Sequence, residues 1–226
     1  MQEKYIIIVA GGKGVRMGWD LPKQFLLLND RPVLMHTIAA FYDYDPKMHV
    51  ILVLPDEHAE YWTRLCADFK FNVPYQIVIG GDTRFYSVKR GLEKVERGAL
   101  VGVHDGVRPL IERQLIAKVY EAAATHKAAY PVISLIDSIR EMDGAEESHS
   151  VNRTKFRLVQ TPQVFWSDIL IDAYKQEYND EFTDDVSVVE AIQTIRPVMV
   201  EGSPENIKIT QAVDLKIAET LLRCRI

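Results

Sequence analysis

The chain has 226 residues, 47% hydrophobic and 26% charged, with a formal net charge of −5. That composition is ordinary for a soluble globular protein able to bury a full core, and the acidic balance excludes a general nucleic-acid coat, which needs a basic surface to neutralise phosphates. Two cysteines, Cys66 and Cys224, exclude a disulfide framework or zinc knuckle, and no apolar run reaches the roughly 18 to 20 residues that span a bilayer.

In chain order, apolar runs rich in valine and isoleucine predict strands at 5–10 (YIIIVA), 49–55 (HVILVLP), 75–80 (YQIVIG), 99–105 (ALVGVHD) and 128–136 (AAYPVISLI). Helical spacing between them predicts helices over 33–42, 58–69, 84–95 and 114–124. Strands apolar on both faces, alternating with amphipathic helices, give an α/β fold with a doubly wound, mostly parallel sheet, in one domain over 1–226. From 137 to 161 the pattern changes. Turn residues at Asp143 and Gly144, an acidic tip and alternating flanks predict a β-hairpin arm, which periodicity alone leaves as a solvated surface feature. Helices at 167–177 and 184–194, a strand at 197–201 and a helix at 213–222 complete the chain. The opening MQEKY has neither the basic start nor the long apolar stretch of a signal peptide, so a cytoplasmic protein is expected.

Ligands of open α/β sheets bind at the carboxyl edge of the strands, where Gly11, Gly80, Gly81 and Asp105 collect. The first of these turns, AGGKGVRM (10–17), is not a Rossmann fingerprint, because Met17 stands where the third glycine is needed. Nor is it a P-loop, since Lys13 is followed by Gly14 rather than serine or threonine. Close glycines with Lys13 and Arg16, and Lys23 in the following LPKQ, suit a polyphosphate.

AGGKGVRM with PKQF resembles the opening signature of nucleotidyltransferases that join a nucleoside triphosphate to a phosphorylated sugar or polyol. HDGVRP (104–109), QTPQVF (160–165) and ENIKIT (205–210) resemble one branch, the 2-C-methyl-D-erythritol 4-phosphate cytidylyltransferases of the non-mevalonate isoprenoid pathway. The motifs run in family order over nearly the whole chain. The resemblance implies CTP and a sugar-alcohol phosphate as substrates, pyrophosphate release, a magnesium requirement, and a homodimer in which the 137–160 arm reaches the twin subunit's site.

Carried over position by position, the resemblance puts Arg16 and Lys23 on the α-phosphate and leaving pyrophosphate. Ala10, Gly11, Gly12, Gly81, Asp82 and Ser87 fall on the nucleotide, and Asp105 on magnesium and nucleotide phosphates. Arg108, Ser138, Arg153, Thr161, Thr183 and Lys208 fall on the acceptor, with Arg153 and Lys208 placing it for attack. His104 is read as structural. Two departures are Gly106 and Val107, where the family usually has alanines, and Ser138, where it usually has threonine. Val107 is shared with the ribitol-5-phosphate cytidylyltransferases, which keeps that acceptor as the alternative; VNR around Arg153 favours methylerythritol phosphate. From another class, a regulatory module that binds nucleotide without turnover need not retain Arg16, Lys23, Asp105 and Lys208 together.

Overall fold

The computed structural model describes residues 2–11, 21–192 and 195–225. Strand β1 (Lys4–Val9) starts the sheet. Tyr5 and Ile7 enter one core while Ile6 and Ile8 enter the other, the two-residue alternation of a strand covered on both faces. A two-strand ribbon, β2 (Leu27–Leu28) and β3 (Arg31–Pro32), leads into α1 (Val33–Tyr44). Then follow β4 (His49–Leu54), α2 (Asp56–Asp68), β5 (Gln76–Ile79), α3 (Arg84–Leu92), β6 (Leu100–Asp105) and α4 (Arg113–His126). β4 and β6 flank β1 in parallel and β5 lies beyond β4, so their carboxyl ends share one edge.

Caps explain several helix starts. α2 begins two residues ahead of its expected position because Pro55 stands at its cap, where a missing N–H costs nothing, and Asp56 and Glu57 complement the dipole of the first turn. At α3 the cap is Thr83, whose hydroxyl accepts the Tyr86 N–H.

The second half departs further from the sequence pattern. After β7 (Ala128–Ser134), β8 (Arg140–Met142) and β9 (Ser148–Ser150) pair only with each other and form the hairpin, closed by the Asp143 N–H donating to the Glu147 carbonyl. β10 (Arg157–Val159), within the expected arm, rejoins the main sheet against β7. β11 (Gln163–Trp166), a strand the sequence reading does not contain, lies antiparallel between β6 and β7. On the other side of β7, β12 (Val198–Glu201) pairs in parallel.

α5 (Ser167–Ala173) stops short of the expected 177. The Tyr174 ring turns into the core against Phe85, and the Gln176 amide takes the Ala173 carbonyl, ending the helix. α6 (Asp185–Ala191) starts under a capping box from Asp184 and Ser187. α7 (Ala212–Cys224) closes the chain.

Helices α1, α2 and α4 cover one face of the sheet and α3, α5 and α6 the other. A third cluster joins Leu28, Val33, Leu110, Ile209 and Ala218 with Val107. The Val107 side chain therefore belongs to the packing beneath α7. Among the described residues no helix is long and apolar enough to cross a membrane.

Candidate active site

Asp105 ends β6 with its carboxylate buried, and three cations converge on it. Arg108 Nε and Lys208 Nζ each stand 3.1 Å from Oδ2, and Arg84 Nε stands 4.0 Å from Oδ1. Burial pushes this carboxyl up, but Lys208, Arg84 and Arg108 together outweigh it and hold it well below the usual carboxylate range. It is an anion at any physiological pH.

The scaffold behind Asp105 is a hydrogen-bonded chain. Thr161 Oγ1 accepts the Asp105 N–H at 3.1 Å and lies 3.0 Å from His104 Nδ1, while His104 Nε2 lies 3.2 Å from the Arg108 carbonyl. A carbonyl only accepts, so Nε2 carries the proton and Nδ1 accepts from the threonine hydroxyl. Burial holds this imidazole neutral, its pKa pushed down to about 3. His104 is thus a structural residue, as expected from the sequence.

Arg108 also donates from Nη1 to the Asn206 carbonyl at 2.8 Å, and Asn206 Nδ2 donates to the Thr161 carbonyl at 2.9 Å. These bonds lock QTPQ to ENIKIT and so place Lys208. At the carboxyl-edge Gly202 a Cβ would stand 2.4 Å from Gln160 Oε1, the atom that accepts the Ser203 N–H, so a side chain there would have to displace that bond.

Beside this cluster lies the end of β1. Ala10 donates its N–H to Val53 and accepts from Gln24, and among the described residues nothing lies within 4 Å of a Cβ built on Gly11. Across β4, the turn after β5 brings Gly81 against α3 so closely that a Cβ would sit 2.4 Å from that of Tyr86. The Ser87 hydroxyl lies 3.2 Å from both the N–H and the carbonyl of Gly81, which fixes that turn, and Asp82 stays exposed beside it.

The structure therefore gathers Asp105, Arg108, Thr161 and Lys208 into one centre. Lys23 follows Pro22 on a 3-10 turn (Lys23–Phe25). Its charge reaches Asp214 at the start of α7, whose carboxylate is raised by burial and lowered more by hydrogen bonds from Thr210 and Gln211 and by Lys23. Gly12 and Arg16 lie outside the described residues. Ser138 and Arg153 are exposed in the arm, where Arg153 donates to the Ile136 carbonyl; no described contact joins either to Asp105. Thr183 is exposed just ahead of α6.

Sequence reasoning missed Arg84, although it sits in the quoted GGDTRFYS, and Asn206, although it sits in ENIKIT. It also missed Asp185 and Gln163. Asp185 is fully buried, bound by Nη1 and Nη2 of Arg84 and by the Tyr174 hydroxyl. Gln163 Oε1 accepts the N–H groups of Asp185 and Val186, and its Nε2 reaches Asp184. This network ties the loop bearing Thr183 to α3 and, through Arg84, to Asp105.

The family profile of 2-C-methyl-D-erythritol 4-phosphate cytidylyltransferase matches residues 5–224. The chain belongs to this family. It is 53% identical over 222 residues to the 2-C-methyl-D-erythritol 4-phosphate cytidylyltransferase of Azobacteroides pseudotrichonymphae, covering 98% of this chain and 100% of that one. To the same enzyme of Phocaeicola vulgatus it is 52% identical, with 97% and 99% covered. The crystal structure of the Thermus thermophilus enzyme matches with a TM-score of 0.79 at 33% identity, over 99% of this chain and 100% of that one. The α/β frame expected from the sequence is therefore the family's frame, and the chain is a CTP-dependent nucleotidyltransferase of isoprenoid biosynthesis.

Proposed function

We propose that the chain transfers the cytidylyl group of CTP to 2-C-methyl-D-erythritol 4-phosphate, with the charged centre at Asp105 as the place of transfer. The observation that carries this reading is the convergence of Lys208, Arg108 and Arg84 on one buried carboxylate at the carboxyl edge. An oxygen of the acceptor phosphate bonds to the α-phosphorus, the bond to the bridging oxygen breaks, and the electron pair leaves with pyrophosphate. The products are 4-diphosphocytidyl-2-C-methyl-D-erythritol and pyrophosphate. The attacking phosphate is already ionised, so no side-chain base is needed.

The obstacle is repulsion: two unit charges 4 Å apart interact by about 1 kcal/mol in water and about 4 kcal/mol at an effective dielectric of 20. Cations placed in advance offset it. Arg16 and Lys23 serve the α-phosphate and leaving group, and Arg108, Lys208 and Thr183 the acceptor. Thr161 acts there by holding Asp105. Ala10, Gly11, Gly12, Gly81, Asp82 and Ser87 shape the nucleotide side.

Magnesium fits Asp105 by chemistry. The carboxylate stays ionised, with Arg108 and Lys208 at Oδ2 and Arg84 Nε 4.0 Å from Oδ1. No cluster of three potential ligand side chains occurs among those residues, but magnesium commonly uses one or two carboxylates and completes its shell with phosphates and water. When bound, the ion would offset triphosphate charge and polarise a phosphoryl oxygen.

We read the arm as shared between two copies of the chain. Ile136, Met142, Phe156, Leu158 and Val159 are exposed apolar side chains in or beside it, a patch suited to a partner surface. Arg153 and Ser138 are exposed and make no described contact with their own centre, as fits residues delivered to a twin. The reading also keeps the chain cytoplasmic, in line with Cys66 and Cys224 as free thiols.

Mixing Lys23→Ala with Arg153→Ala subunits tests this division of labour. A mixed dimer contains one site with both residues intact and regains activity that neither parent shows. No recovery in a verified mixed dimer removes the shared arm.

A further inference from the structure

Gln24 is fully buried yet only half satisfied. Its Nε2 donates to the Ala10 carbonyl at 2.9 Å, whereas Oε1 has no hydrogen-bond partner among the described residues. An unpaired buried amide oxygen costs free energy, and an apolar side chain of similar shape would avoid that cost. The useful part of the residue is therefore its donor.

That donor spans a defined gap. The chain leaves β1 at Ala10, whose N–H is fixed to Val53, and returns beside it fourteen positions later, on the turn that carries Lys23. The next residue, Phe25, anchors the same turn independently, its buried ring packing on Tyr61 at 5.1 Å and His58 at 5.5 Å between centroids. Phe25 holds the turn to α2, and Gln24 sets its position against the end of β1.

We propose that Gln24 is a positioning residue, whose buried amide holds Lys23 in register with the nucleotide-binding end of β1 at Ala10. This rests on the reading of Ala10 and Lys23 as two sides of the CTP subsite. Gln24 touches no reacting atom; it acts through the lysine beside it.

The test is a double-mutant cycle on the full chain with Gln24→Met, Lys23→Ala and the pair, reading kcat, CTP affinity and Tm. The methionine variant is expected to lose about ten-fold in kcat with CTP affinity within about three-fold. Its Tm changes little, because losing the unpaired Oε1 offsets leaving the Ala10 carbonyl unpaired. The pair should be no slower than Lys23→Ala alone, since a positioning residue has nothing left to position. Unchanged kcat, equal losses in kcat and CTP affinity, or additive losses in the pair would each overturn the proposal. So would a large fall in Tm in both Gln24→Met and Gln24→Leu, which would make Gln24 a fold residue. Wild-type turnover in Lys23→Ala alone would instead overturn the underlying role of Lys23, and this proposal with it.

Discussion

Arg84 grips both oxygens of Asp185, at 2.9 and 2.7 Å, and the carboxylate it holds is fully buried. Its third nitrogen faces Asp105, 4.0 Å away. One guanidinium thus couples the start of α3, the start of α6 and the charged centre.

Asp185→Asn leaves Arg84 without its main counter-charge. Breaking one side of a fully buried pair costs roughly 3 to 5 kcal/mol; the Arg84 side chain is 31% exposed, so water recovers part of that and urea unfolding should show a smaller loss. Arg84→Met combined with Asp185→Asn should lose less than the sum of the single changes. Strict additivity would mean the pair contributes no coupling.

Asp105→Asn removes the anion that Arg108, Lys208 and Arg84 share. Turnover should fall by roughly 100-fold or more, on the scale of losing a preorganised electrostatic group, and Tm should fall as well because the three cations then face one another. Steady-state kinetics beside a melting curve checks both. Retained turnover would place the transfer elsewhere.

Acid stability follows from two depressed groups. Burial holds His104 down at about 3 against an ordinary 6.5, so the unfolded chain takes up that proton first. Stability is lost as pH falls from about 6.5 towards 3, by up to about 1.4 kcal/mol per pH unit. Asp105, also held low, adds a second loss below about pH 4. His104→Gln should flatten the dependence between pH 6.5 and 4 and leave the lower limb. Urea titrations at several pH values measure it, and an unchanged slope would assign the upper limb to other groups.

Gly81→Ala should raise the KM for CTP several-fold while the chain stays folded. The new Cβ would stand 2.4 Å from that of Tyr86, so the turn must shift away from α3 and carry the Ser87 contact with it. A KM unchanged from wild type would detach this turn from the nucleotide side.

The first half of the fold was legible because β1, β4 and β6 are unbroken apolar runs, and helices must follow such strands to cover both faces. β11 was not: it is four residues long, begins with the polar Gln163 directly after Pro162, and passes straight into α5, leaving no window for alternation. The end of α5 was hidden for a related reason, since Tyr174 continues the helical spacing but its ring is claimed by Phe85 and its hydroxyl by Asp185. Within the site, Asp105 could be seen as an acid at a strand end, but the cations that hold it come from α3, from the loop after β6 and from ENIKIT, and only the fold joins them. Arg153 and Ser138 owe their assignment to resemblance alone, because nothing in the hairpin's own pattern distinguishes a shared arm from a solvated one. Val107, which had kept a second acceptor open, packs with Ile209 and Ala218 beneath α7, so its side chain says nothing about the acceptor.

The most direct measurement is pyrophosphate release from CTP in parallel reactions with 2-C-methyl-D-erythritol 4-phosphate, with ribitol 5-phosphate and with no acceptor. Release with the first, and background in the other two, is the predicted result. Release with ribitol 5-phosphate alone, or with neither acceptor, would contradict the account.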